Sequence, residues 1–179
     1  MKEILLTNER FVRETSGISD NLAGRYILPS IREAQNVYYR GIVGDALLDK
    51  LKALVDAGTI GEAGNEAYKA LLEKSQYYIT YRAIVEVAQH VNFKVANAGV
   101  VQTPDENMPA ADHLDMCRLQ DYYVAKADSM AMDLQGYLLD NRASFPELCE
   151  CDCNRIKANL YSAASCGIFL GGPRGKIER

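Results

Sequence analysis

Of 179 residues, only two are histidine and none is tryptophan. With His90 and His113 as the only imidazoles, acid–base or nucleophilic machinery would have to rest on one of them or on carboxylates. No G-x-S-x-G elbow surrounds any serine, and Cys117 lacks a recognisable catalytic context, so a hydrolase is not expected. An excess of positive charge is missing too: 20 Lys and Arg stand against 24 Asp and Glu, a formal net charge of -4. Such a surface offers no basic footprint for a phosphate backbone, and no specific nucleic-acid binding is expected.

Long apolar runs are also absent. The most apolar stretch, residues 77–88, is broken by Arg82 and Glu86 and falls short of the roughly 20 residues that span a bilayer. Near the N-terminus only Ile4, Leu5 and Leu6 are consecutive and apolar, whereas the core of a secretory signal needs about 7 to 15 residues. Neither a membrane anchor nor export is expected. Five cysteines, at 117, 149, 151, 153 and 166, are an odd and uneven set. A chain of this size buries roughly 70% of its unfolded surface and needs no staples, which favours reduced thiols in a cytosol.

What is present is the composition of a globular protein, with 48% hydrophobic and 25% charged residues, and helical periodicity through most of the chain. Thr7 or Asn8 can cap a short helix carrying Phe11 and Val12, closed by Gly17. A second helix is predicted from about Tyr26, with Pro29 in its first turn and Ile27, Ile31, Ala34 and Tyr38 as its buried stripe. Gly41 and Gly44 interrupt that pattern. Asp45 can cap a third helix over residues 45–57, with Leu47, Leu51, Leu54 and Val55 on one face and Gly58 as its stop. Asn65 caps a long helix to about Asn92. Its Leu71, Tyr78 and Val85 recur every seven residues, and Ile79, Ile84, Val87 and Val91 form a second apolar face, so this helix should have neighbours on both sides.

Periodicity disappears over residues 94–111, which read as a long irregular loop, either functional or mobile. Asp112 then caps a helix to about Asn141, in which Met116, Tyr123, Met130 and Tyr137, with Ala127 and Leu134 between them, mark a packing seam. Pro146 begins a turn or a new helix, residues 149–159 are ambiguous, and residues 165–170 suit a strand or an extended arm. The expectation is an all-α, single-domain bundle of about five helices over residues 1–166, with an extended C-terminal arm over 167–179.

Few patterns carry chemistry. Cys149-x-Cys151-x-Cys153 invites a metal, and His113 and Cys117, at i and i+4, could complete a ligand set with two of those thiols. Single-residue spacers make chelation by neighbours awkward, so scattered reduced thiols are the competing reading, and no cofactor is expected. Gly58, Gly61 and Gly64 have neither a preceding strand nor a G-K-[ST] ending, and no helix follows the Gly171 to Gly175 run. Asp105, Glu106 and Asn107 lack the alternating ligands of an EF-hand. The eleven tyrosines include three adjacent pairs, Tyr38-Tyr39, Tyr77-Tyr78 and Tyr122-Tyr123. Adjacent helical residues point about 100° apart, so one member of each pair can fill the core while the other reaches a boundary or a partner. Subunit contacts and ordinary core-edge tyrosines are both open readings.

Several segments in order resemble a prophage-encoded family from gut Bacteroidetes. They are Thr7-Asn8-Glu9-Arg10-Phe11-Val12, Ile27-Leu28-Pro29-Ser30-Ile31-Arg32-Glu33-Ala34-Gln35, Gly44-Asp45-Ala46-Leu47-Leu48, Asn97-Ala98-Gly99-Val100-Val101, the Tyr122-Tyr123 helix and the tail from Ile168 to Lys176. That family is similar in organisation to the head-tail connector (adaptor) proteins of tailed phages. The resemblance implies a structural subunit without catalytic residues, which assembles into a ring with copies of itself between portal and tail-side proteins. It implies a bacterial cytoplasmic location during assembly and then the virion neck. The positions matching contact roles are residues 94–111 and the tail from Gly167. In that tail Ile168, Phe169 and Leu170 would bury against a neighbour, while Arg174 and Lys176 would complement acidic charge. The cysteine run has no counterpart in the resemblance.

Overall fold

Asn8 opens the first helix: its Oδ1 accepts the Phe11 amide at 2.8 Å, and α1 (Glu9–Ser16) closes on Gly17 at φ 66°. That left-handed turn is easy only for a residue without Cβ. A computed structural model describes residues 3–18, 22–96, 99–102 and 113–150.

The second helix departs from expectation in three ways. α2 (Gly24–Glu33) starts two residues earlier than predicted, so Pro29 lies inside the helix rather than in its first turn, and its missing N–H removes one intrahelical bond. It then runs without a break into a π-helical segment (Ala34–Tyr39) and α3 (Arg40–Val43). A π turn accommodates one extra residue, which rotates everything downstream relative to a regular helix. The buried tyrosine is therefore Tyr39, fully enclosed, and not Tyr38, which lies at the boundary. Gly41 stays inside α3, and only Gly44, at φ 81°, breaks the chain direction.

Gly44 also takes the N-cap place predicted for Asp45. The Asp45 carboxylate pairs with Arg40 instead. α4 (Asp45–Asp56) buries Leu47, Leu48, Leu51 and Leu54. It ends in paired bonds from the Gly58 amide to Val55 O (3.2 Å) and from the Thr59 amide to Leu54 O (3.1 Å), the Schellman arrangement that a glycine at φ 70° permits.

α5 (Glu66–Asn92) begins where predicted. The Asn65 carbonyl accepts the Lys69 amide at 2.9 Å, and the Glu66 carboxylate reaches back to the Gly64 amide at 3.0 Å. Backbone amides around Glu66 hold its carboxyl below its ordinary pKa. Both predicted apolar faces are buried except at Val91, which is 37% exposed. Leu71, Tyr78, Ile79, Ala83 and Val87 lie in the core, with α6 on one side and α1, α2 and the π segment on the other.

Part of the expected irregular loop is regular. β1 (Phe93–Ala96) and β2 (Gly99–Gln102) pair antiparallel, Phe93 against Gln102 and Val95 against Val100. Strands of four residues are too short to show a period, though the β-branched Val95, Val100 and Val101 favour them. The rest of that loop lies outside the described residues. α6 (His113–Asp140) returns antiparallel to α5, as the Tyr137 hydroxyl donating to Ala67 O at 3.1 Å and the Arg82–Asp128 ion pair at 3.2 Å both require. A 3-10 turn (Arg142–Ser144) then drops Phe145 into the core between Tyr68 and Tyr137, ring centroids 5.2 and 6.1 Å away, and leads to α7 (Glu147–Glu150). The architecture is an all-α bundle with one small hairpin at the end of its central helix. The predicted arm, 167–179, and the 149–159 stretch beyond Glu150 lie outside the described residues.

Candidate functional site

α6 is 28 residues long, about 42 Å of helix. Its predicted seam faces the core: Met116, Ala127 and Leu134 are buried, with Met130 and Tyr137 packed at the edge, and Leu138 is buried beside them. The opposite side is also apolar. Leu114 is 55% exposed, Tyr122 55%, Met132 64% and Leu139 53%. Leu114 and Met132 are 18 residues apart, about five whole turns, and so point the same way. Tyr122, Ala125, Ser129, Met132, Gly136 and Leu139 alternate by three and four along this exposed line. Exposed aspartates flank it, Asp121 and Asp128 on one side, Asp133 and Asp140 on the other.

Tyr122 is held in place. Lys126 Nζ stands 4.4 Å from its ring centroid, 5.3 Å from that of Tyr81 and 5.8 Å from that of Tyr123. The Tyr122 hydroxyl, hydrogen-bonded to Lys126, raises the ammonium pKa above its usual value. Tyr81 and Tyr123 stack at 6.4 Å, and Tyr122 meets Tyr123 edge to face at 5.2 Å. Next along α5, Arg82 binds Asp128 and lies over the Tyr38 ring at 4.8 Å, while the Tyr38 hydroxyl donates to Glu86 at 2.9 Å. That bond to a carboxylate, with burial behind it, raises the Tyr38 pKa. The exposed face of α6 is thus backed by a fixed layer of rings and cations that reaches the π segment.

At the N-terminal end of α6 the surface dips into an apolar groove of about 370 Å³, lined by Ile18, Leu22, Ile84, Val87, Met116 and Leu119 among others. Close by, Ser30 Oγ and His90 Nδ1 approach to 3.3 Å. The Ser30 hydroxyl donates to Tyr26 O at 2.8 Å, within its own helix.

The tyrosine pairs divide as predicted. Tyr78 is buried and Tyr77 exposed, Tyr39 is buried and Tyr38 half so, and Tyr123 packs against α5 while Tyr122 reaches out. The metal alternative fares differently. His113 and Cys117 lie in the first two turns of α6, whereas Cys149 lies in α7, beyond the far end of that helix. Cys117 and Asp140 are separated by about 34 Å of helix, so Cys117 and Cys149 cannot share an ion whose ligands stand about 2.3 Å away. No group of three His, Cys, Asp or Glu side chains able to hold a metal occurs among the described residues. Cys151, Cys153, Ile168, Phe169, Leu170, Arg174 and Lys176 lie outside them. Missed by the periodicity were Leu114, Met132 and Leu139. Their signal was present, Ala125, Met132 and Leu139 recurring every seven residues, half a turn round from the buried seam. Among the described residues no helix is long and apolar enough to cross a membrane.

No curated protein and no solved structure matches the chain. A family of unknown function, DUF6712, matches residues 39–158, from the end of the π segment through α7 and beyond. A match over more than half its length makes this chain a member of that family.

Proposed function

We propose that the chain is a structural subunit of a phage or prophage neck, a head-tail connector that forms a ring through protein–protein contacts and performs no catalysis. One observation carries this reading: α6, a long surface helix, is apolar on the side facing the bundle and apolar again on the side facing outward, where Leu114, Tyr122, Met132 and Leu139 stand exposed. An exposed apolar line rimmed by charge is the form of a protein interaction surface. Closed head-to-tail rings need a second, different surface on each protomer, and the apolar groove beside α1 supplies one at the other end of α5 and α6 from α7. The partners are copies of the same chain and the portal and tail-side proteins above and below. The site of action is the bacterial cytoplasm during assembly and then the virion neck. The resemblance of the ordered segments to prophage-encoded proteins adds the biological setting.

The test is co-expression with the portal protein encoded nearest to this gene, followed by electron microscopy of the purified portal. Extra density of ring symmetry beneath the portal is the expected result, and it should vanish when Met132→Asp and Leu139→Asp are combined. Portal particles that carry none of this chain at saturating co-expression would overturn the reading.

A further inference from the structure

The exposed line on α6 needs an occupant, and its rim narrows the choice. A second copy of the same helix is a poor one. In an antiparallel self-pair that sets Tyr122 against Leu139, Ala125 against Gly136 and Ser129 against Met132, each edge carries carboxylates from both copies, Asp121 and Asp128 along one edge and Asp133 and Asp140 along the other. Asp128 is already answered by Arg82, but the remaining carboxylates would gather along both edges, and such like charge counts against a partner. The occupant should be apolar along its middle and basic beside it.

The chain itself contains such a segment. Residues 168–179 read Ile-Phe-Leu, then Gly-Gly-Pro, then Arg174, Lys176 and Arg179 with Glu178 as the single acid. Gly171, Gly172 and Pro173 oppose any regular helix, so the segment suits an extended strip laid along a surface. Reach is sufficient: the 18 residues from Glu150 to Ile168 span up to about 60 Å extended, while the line from Tyr122 to Leu139 is about 26 Å of helix.

We infer that residues 168–179 of a neighbouring copy lie along the outward face of α6, with Ile168, Phe169 and Leu170 against Met132, Gly136, Leu139 or Tyr122, and Arg174 and Lys176 against the aspartate rim. This rests on the ring reading above for the neighbour and adds the docking site. Main-chain groups of an extended strip remain open to water on one side, so the contact needs no further pairing, and the fixed rings behind Tyr122 lower the entropy lost on docking.

The experiment places a photoreactive benzoylphenylalanine at Phe169 in the full chain, in an equal mixture of nitrogen-15-labelled and unlabelled protein assembled on the portal. Cross-links between heavy and light chains, mapped by mass spectrometry to residues 122–139, are the expected product. Arg174→Glu with Lys176→Glu should lower their yield about tenfold, because like charges then meet along the rim, and Asp133→Lys with Asp140→Lys should restore it. Thermal unfolding of each variant should match the parent, because every altered residue is exposed or lies beyond α7. Links confined to one chain, links to other surfaces, or no rescue by the charge swap overturn the docking site. If the ring forms on the portal but links map elsewhere, the docking site falls and the connector reading stands. If inter-chain links to residues 122–139 form without any ring, the connector reading falls and the docking site stands.

Discussion

Gln35 is a core amide with both ends engaged. Its Oε1 accepts the Leu6 amide at 2.8 Å and its Nε2 donates to Ile4 O at 3.0 Å, while Gln76 Nε2 donates to Leu6 O at 2.9 Å. These two glutamines give the segment before α1 the backbone partners that a strand would have supplied. Replacing Gln35 by Leu keeps much of the volume but strands a buried N–H, a loss of about 1–3 kcal/mol. Urea unfolding should show a lower midpoint at unchanged slope; an unchanged midpoint would mean that the bonds to Ile4 and Leu6 carry no net stability. Phe145 has no exposed surface and sits against Tyr68 and Tyr137. Phe145→Ala should therefore cost about 3–5 kcal/mol, whereas Leu139→Ala, on the exposed line, should fall within about 0.5 kcal/mol of the parent. Comparable losses at both positions would contradict the assigned inner and outer faces of this region.

Between α2 and α3 the π segment holds one residue more than a regular helix needs, and that makes an unusual deletion tolerable. Removing Val37, which is 60% exposed, should let the segment relax to α-helix while Ile31, Ala34, Tyr39 and Ile42 keep their buried face. Removing Lys74 from the regular α5 would instead turn half of the central helix by about 100°. Circular dichroism melts should find the first variant folded and the second not; the reverse order would show that the wide turn is not a one-residue surplus. The same segment explains what could be read from the chain beforehand. α5 and α6 were legible because Leu71, Tyr78 and Val85, or Met116, Tyr123 and Met130, sustain one period over many turns. A 3.6-residue period puts Tyr38 beside Ile31 in the buried stripe, because it has no means of showing a local extra residue. β1 and β2 were too short to show alternation. At the site, Tyr122 could be picked out by its pairing with Tyr123, whereas the seven-residue recurrence of Met132 and Leu139 does not mark their face as the outward one. Spacing alone does not tell which of two apolar faces on one helix is already covered.

For the molecule as a whole, the core is knit by tyrosines whose hydroxyls must stay protonated. Burial, then the bond to the Glu147 carboxylate at 2.9 Å, pushes the Tyr68 pKa up to about 12, and burial raises those of Tyr39 and Tyr78 as well. In the unfolded chain tyrosine titrates near 10. The unfolded state therefore loses protons first, and stability from this source is complete below about pH 10 and drains away as pH rises from about 10 toward 12. Denaturant midpoints measured across that range should fall steeply, and Tyr68→Phe should flatten part of the slope; a parent protein equally stable at both ends would refute the linkage. Helices α5 and α6 hold this core along its length, with Tyr81 stacked on Tyr123 and Tyr137 bonded to Ala67. On the outer side, Tyr122 stands where the bundle ends and solvent begins. Because the chain contains no tryptophan, Tyr122→Trp would give it a single indole at that boundary. The colour of its emission would then read directly, in any mixture, whether this side of the helix is wet or covered.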